Sequence, residues 1–235
     1  MPVLAGQKAR TQEFVRAFAL RGMARRPFIR YNEVLEIGTS SSMKTKKHKP
    51  KIGLALGGGG ARGIAHLGVL QVFEENKIPI SIISGTSMGA IIGGCYAAGN
   101  SLQKIERVIK RLSKEKMFAW SNIHLFRESL LKSGRIGGYL KSLINGMDIK
   151  DTAIPFVAVG VDLESGKEVD MREGELLKAL MASSSFPPLF PPVFFNGHYM
   201  IDGGILNNIP VNVIRPEVDI VVGVQLKNYI SQQFI

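Results

Sequence analysis

Cysteine is nearly absent. Cys95 is the only one in 235 residues, which excludes an internal disulfide framework and any multi-cysteine zinc site. Histidine is scarce as well. His48, His66, His124 and His198 are the four, and none stands at H-E-x-x-H spacing, so a zincin helix is excluded. The start has no uninterrupted apolar h-region of a signal peptide, and Met1-Pro2 is not a myristoylation signal. One run imitates a membrane span: Ile78 to Gln103 carries no charged residue and is long enough to cross a bilayer. Pro79, Ser81, Ser84, Thr86, Ser87 and five glycines interrupt it, so a strand, a tight turn and a buried helix account for it better, and no transmembrane span is expected.

Acidic residues are few at the N-terminus. Residues 1–51 hold 12 Lys/Arg against 3 Asp/Glu, net +9, whereas 52–235 hold 18 against 16, net +2. The basicity is local to the first fifth of the chain, and no nucleic-acid partner is expected. Residues 11–25 set Phe14, Val15, Phe18 and Leu20 among arginines. That pattern is open to a basic amphipathic helix on an anionic membrane, or to an organelle transit peptide, against which Glu13 counts. Composition favours a solvated, poorly ordered extension over 1–50, with peripheral membrane contact as the alternative. A product starting at Met43 would read MKTKKHKPKIGLALGGGG, a short basic lead into a strand. The expected location is cytoplasmic, with peripheral membrane attachment as the variant.

What is present is an ordinary globular composition. With 45% apolar and 21% charged residues, wholesale disorder is excluded and a normal core can be buried at this length. Ile52–Leu56, ended by four glycines, reads as a buried strand. Residues 63–75 read as a helix, Ile80–Ile83 as a second buried strand, and 88–98 as a second helix packed by small residues. Strand–helix–strand–helix predicts a three-layer α/β/α sandwich with a mainly parallel central sheet. Asn100 is placed as the cap of a third helix, with Leu102, Ile105, Val108, Ile109 and Leu112 on one stripe. Residues 113–150 show a helix only at 137–145. Phe156–Val161 and Lys167–Asp170 flank a Glu164-Ser165-Gly166 turn. Residues 174–183 suit a helix, Phe186–Phe195 a rigid apolar loop, and His198–Ile201 and Val218–Val224 strands.

Two glycine motifs carry the chemistry. Gly58-Gly59-Gly60-Ala61-Arg62-Gly63 follows the first strand and opens the first helix. It matches G-x-G-x-x-G, the dinucleotide fingerprint. Ile64 after the last glycine excludes a P-loop, and Ser84-Gly85-Thr86 stands where the nucleotide reading wants an acid. What the loop offers in any case is close backbone approach and N–H groups that favour negative charge. Gly85-Thr86-Ser87-Met88-Gly89 lies where the second strand meets the second helix. G-x-S-x-G in that context is a nucleophile elbow, with Ser87 at a helix N-terminus. Together, one loop supplies N–H donors for an oxyanion and the other a nucleophile.

Chain order limits the base. The first Asp is Asp148, so arrangements with Asp upstream of Ser87 are excluded. A Ser–acid–His order leaves only acids before His198, and none sits in a distinctive turn. Asp202-Gly203-Gly204 does, beyond every histidine. A Ser87–Asp202 dyad fits best, with oxyanion stabilisation carrying much of the catalysis because a carboxylate is a weak base.

At these residues the sequence resembles the patatin-like phospholipase family, in its bacterial branch near the neuropathy target esterase group. GGGGARG, GTSMG and DGG stand in the family's order, and Ser183-Ser-Ser-Phe-Pro-Pro188 is similar too. The resemblance runs from about Lys51 to Val224. It implies hydrolysis of lipid or phospholipid acyl esters, with Ser87 as nucleophile and Asp202 as base. It also implies an oxyanion hole of Gly58, Gly59 and Gly60, shaped by Arg62, with Gly63, Gly85, Gly89, Gly203 and Gly204 supporting the turns. The expected hydrolase domain is 51–235. Family members usually continue past this point with more helix, so a C-terminal truncation is expected. No cofactor or metal is expected. The alternatives are a nucleotide-binding module using Gly58–Gly63 and a non-catalytic lipid-binding protein. His66 and His198 are read as structural, Cys95 as a buried small hydrophobe, and most of Phe186, Leu189, Phe190, Val193, Phe194 and Phe195 as packing or acyl-pocket border. Asn207 and Asn208 are assigned no chemistry.

Overall fold

The computed structural model describes residues 49–114, 126–144, 146–187 and 189–226. The readings of the basic extension up to residue 48, of Trp120 and of the chain past residue 226 lie outside the described residues. β1 (Ile52–Leu56) is buried along its whole length, as a run without polar side chains requires of a central strand. β2 (Ile82–Thr86) and β7 (Ile220–Val224) flank it, both parallel. β3 (Phe156–Asp162) pairs parallel to β2. β4 (Glu168–Met171), β5 (Val193–Phe195) and β6 (His198–Asp202) are antiparallel to their neighbours, β4 and β6 to β3 and β5 to β6. The seven strands form one largely parallel sheet.

Alternation along the strands divides the core. Leu54, Ile83, Phe156 and Ala158 face a large cluster, and Ala55, Ile82, Val157 and Val159 a small one. The large side is covered by α1 (Ala65–Glu75), α2 (Met88–Ala97), α3 (Leu102–Lys114), α4 (Phe126–Ile144) and α5 (Leu176–Ser183). The other side is covered, among the described residues, by the four-residue α6 (Val211–Ile214) and Val218. The sandwich has three layers, and they are unequal. α2 is buried on nearly all sides because Gly93 and Gly94 let it lie against Ile83, Leu56, Phe156 and Leu180.

Several elements differ from the sequence reading. β2 runs on to Thr86 because the buried Ser84 and Thr86 hydroxyls donate to the Pro210 and Asn207 carbonyls, 2.8 and 2.9 Å away. Polar residues at a strand end, once satisfied, cost little. α4 starts at Phe126, well before residue 137. Gly134, Gly137 and Gly138 lower its helix propensity, yet Ile136, Leu140 and Ile144 bury one helical stripe in the core, and tertiary packing overrides propensity. Val193–Phe195 is a strand inside the expected apolar loop. Asn100 does not cap α3. Its side chain donates to the carbonyls of Cys95 and Leu143, closing α2 and tying it to α4. Ser101 takes the capping place, with its Oγ 3.4 Å from Lys104 N.

The registers explain how two distant segments meet. Ala158 pairs with both Gly85 of β2 and Met171 of β4, so β2 and β4 occupy opposite edges of β3. Gly160 pairs with both Val169 of β4 and Asp202 of β6. β6 therefore lies on the same edge as β2, one strand beginning where the other stops. It runs antiparallel to β3 and brings Asp202 down to the end of β2, where Ser87 begins α2.

Candidate active site

Ser87 has φ 54° and ψ −122°, a left-handed conformation that a non-glycine residue adopts only under surrounding constraint. The constraint is visible on both sides. A Cβ on Gly89 would stand 2.1 Å from the Leu56 carbonyl oxygen, and one on Gly85 2.6 Å from the Ala90 Cα. Ser87 N–H donates to Ser183 Oγ at 3.0 Å, and Ile91 N–H to the Ser87 carbonyl at 3.0 Å. The hydroxyl is left at the N-terminus of α2, where the helix dipole favours developing negative charge.

Asp202 is 3% exposed. Its carboxyl accepts from Gly204 N–H at 2.7 Å and has the Ser87 side chain as a further hydrogen-bonding neighbour. Burial raises its pKa above the ordinary carboxylate value, and these two hydrogen bonds act against the rise. Gly203 packs against the Val159 carbonyl, where no Cβ fits.

The glycine loop lies alongside. Gly58 comes so close that a Cβ on it would stand 3.3 Å from Ser87 Cβ. Its N–H is committed to the Asn208 carbonyl at 3.0 Å, as Gly57 N–H is to Val224. Gly59 and Gly60 line the cleft, and their N–H groups have no acceptor among the described residues. Gly60 has φ 54°. The loop leaves through a 3-10 turn, Gly60–Ile64, before α1 begins. Arg62 lies at the cleft edge, its backbone N–H held by the Gly59 carbonyl at 3.2 Å. Gly63 lets this turn press on Met88, at the start of α2.

These groups share a cleft of about 570 Å³. Its remaining wall is largely apolar, with Met88, Ile91, Phe186, Leu189, Phe190 and Leu226. A serine, a buried carboxyl and free N–H groups at the mouth of an apolar cleft suit attack on an ester that carries a hydrocarbon chain. Among the described residues no imidazole reaches the serine. His66 is fully buried, and its Nε2–H donates to the Gly57 carbonyl at 2.7 Å. Its Nδ1 has no partner among the described residues, and burial lowers its pKa to about 4. His198 is exposed and pairs with Asp162 at 3.4 Å. Cys95 is buried, its thiol pushed up to about 12. No cluster of His, Cys, Asp and Glu that suits a metal occurs among the described residues. No described helix is long and apolar enough to cross a membrane.

The sequence reading passed over three residues that matter here. Asn208 lines the cleft and anchors Gly58. Thr86 and Ser183 hold the elbow through hydroxyls. A lone Asn, Thr or Ser carries no motif, so only the similarity of the Ser183–Pro188 stretch hinted at one of them.

A family model described as patatin-like phospholipase matches residues 54–214. An uncharacterised NTE family protein of Mycobacterium tuberculosis is 35% identical over 162 residues, 69% of this chain and 45% of the relative. Lysophospholipase NTE1 of Candida albicans is 34% identical over 169 residues, 70% of this chain and 12% of that protein. The chain thus spans less than half the length of these relatives. Among solved structures, VipD from Legionella pneumophila matches with a TM-score of 0.49 and 17% identity, over 68% of this chain and 47% of that one.

Proposed function

The chain belongs to the patatin-like phospholipase family, and from that premise we propose that it is a serine lipid acyl hydrolase working through a Ser87–Asp202 dyad. The observation that carries this reading is Ser87 at a strained strand-to-helix elbow, facing a buried carboxyl with no imidazole within reach among the described residues.

The acyl chain of the ester lies along Phe186, Leu189 and Phe190, and its carbonyl sits over Ser87. Ser87 Oγ attacks the carbonyl carbon while Asp202 takes the hydroxyl proton. The tetrahedral oxyanion is held by Gly59 N–H, Gly60 N–H and the N-terminus of α2. Of the three glycines first assigned to this hole, Gly58 serves by close approach, since its own N–H is already bound. Asp202 returns the proton to the leaving alcohol, and an acyl-Ser87 ester remains. Water then attacks with Asp202 again as base, releasing the fatty acid and restoring the hydroxyl. A raised pKa makes the buried carboxylate a better proton acceptor than a solvated one. The substrate class is a lipid or phospholipid carboxylic ester, and no cofactor enters the cycle.

A fluorophosphonate probe and a chromogenic short-chain ester test the reading. Labelling and turnover are expected in the wild type and absent in Ser87→Ala. An unlabelled wild type that binds a dinucleotide tightly would instead support the nucleotide reading of Gly58–Gly63. One that neither labels nor turns over yet binds lipid vesicles would support a non-catalytic role.

A further inference from the structure

The Ser183-Ser184-Ser185 segment at the end of α5 takes no part in the bond-making steps above. Yet the backbone N–H groups of both dyad residues end on it. Ser183 Oγ accepts from Ser87 N–H at 3.0 Å, and the Ser185 carbonyl accepts from Asp202 N–H at 3.1 Å. Ser183 is fully buried, and its hydroxyl proton goes to the Val159 carbonyl. Its donor and acceptor are both engaged, so the hydroxyl has one orientation. Val159 is also the β3 residue that pairs with Thr86, directly before the elbow. Ser183 thus ties Ser87 to β3, while two residues later the same backbone holds Asp202.

We propose that Ser183 is a positioning residue which, with the Ser185 carbonyl, sets the separation of the Ser87 hydroxyl and the Asp202 carboxylate. This rests on the dyad reading above. The left-handed backbone of Ser87 is not a conformation that serine holds unaided. The N–H beside that strained φ is the group Ser183 captures. Without the acceptor, Ser87 N–H loses its buried partner and the elbow is free to relax. A displacement of about 1 Å in a reacting group is enough to cost about a hundredfold in rate.

The test compares Ser183→Ala and Ser183→Cys with Thr152→Val, in full-length protein. Thr152 makes a similar hydroxyl-to-carbonyl bond, to Ile149, away from the cleft. Expected for Ser183→Ala is a kcat lower by about ten- to a hundredfold, KM within about twofold, and an equal fall in the fluorophosphonate labelling rate. Ser183→Cys fills the site with a weak hydrogen-bonding group, is expected to fold even should the alanine variant fail to, and loses more than about fivefold in kcat. Thr152→Val lowers the melting temperature and leaves kcat unchanged. Ser183 variants with wild-type kcat and labelling rate, and only the loss of melting temperature seen in Thr152→Val, would overturn the proposal. An inactive, unlabelled wild type would overturn the dyad reading itself.

Discussion

Acidification should weaken this fold through His66, by an amount the structure sets. The imidazole is completely buried, with Nε2–H on the Gly57 carbonyl and Nδ1 facing no acceptor among the described residues. A second proton would sit on Nδ1 without a partner, so burial lowers the pKa from 6.5 to about 4, partly offset by the Gly57 bond. The unfolded chain takes up that proton below pH 6.5, and the folded chain only near pH 4. Over this window the unfolded state binds more protons, and stability falls as pH falls. The linkage integral gives a loss of about 2 kcal/mol between pH 7 and 5, and about 3 kcal/mol by pH 4. Asp202 acts in the opposite sense, since its raised pKa makes the folded state the stronger proton binder in the acid range. Urea unfolding of wild type and His66→Asn at pH 7, 6, 5 and 4.5 separates the two, because Asp202 is common to both proteins. His66→Asn should be less stable at pH 7 but should lose about 2 kcal/mol less on going to pH 5. Parallel pH dependences, or an imidazole resonance titrating near pH 6.5 in the folded protein, would refute the reasoning.

Four further outcomes follow from the site. Asp202→Asn should fold and lose at least about a hundredfold in kcat, while His198→Ala stays within about twofold. The pH–rate profile should hold down to an acid limb above 3.8, where Asp202 protonates, and a limb near 6.5 together with a dead His198→Ala would restore a histidine to the mechanism. Gly89→Ala puts a methyl 2.1 Å from the Leu56 oxygen and 2.5 Å from its carbonyl carbon. Backbone cannot yield as a side-chain tip does, so fluorophosphonate labelling should fall by about a hundredfold, and wild-type labelling would count against the elbow geometry. Thr86→Val keeps the shape of a fully buried side chain but strands the Asn207 carbonyl. A loss of about 1–3 kcal/mol in urea unfolding is expected, and an unchanged midpoint would mean that this carbonyl finds another donor.

Much of this protein was legible as spacing. The apolar run 52–56, the glycines after it, and the small-residue helix after a second strand are local patterns. Strand and helix periods follow from backbone geometry alone, so the parallel opening and the GTSMG elbow could be read without coordinates. Chain order together with the Asp-Gly-Gly turn left Asp202 as the best partner for Ser87, because no aspartate precedes the serine and none of the acids before His198 sits in a distinctive turn. The misreadings had a common cause. Only the end of α4, 137–145, was read as helix, and Asn100 looked like a cap for the wrong helix, because the deciding contacts lie far along the chain.

What only the tertiary structure decided is how the site is held and which groups are free to act. β6 meets the end of β2 on one edge of β3, and no local pattern encodes that register. Gly58 turned out to have its N–H occupied by the Asn208 carbonyl, whereas the N–H groups of Gly59 and Gly60 meet no acceptor among the described residues. Ser183 reaches Ser87 across 96 positions. A sequence lists donors and acceptors, and its periodicities show which faces are apolar. Whether a given N–H already has a partner depends on carbonyls brought near by long-range pairing, which only the folded chain specifies.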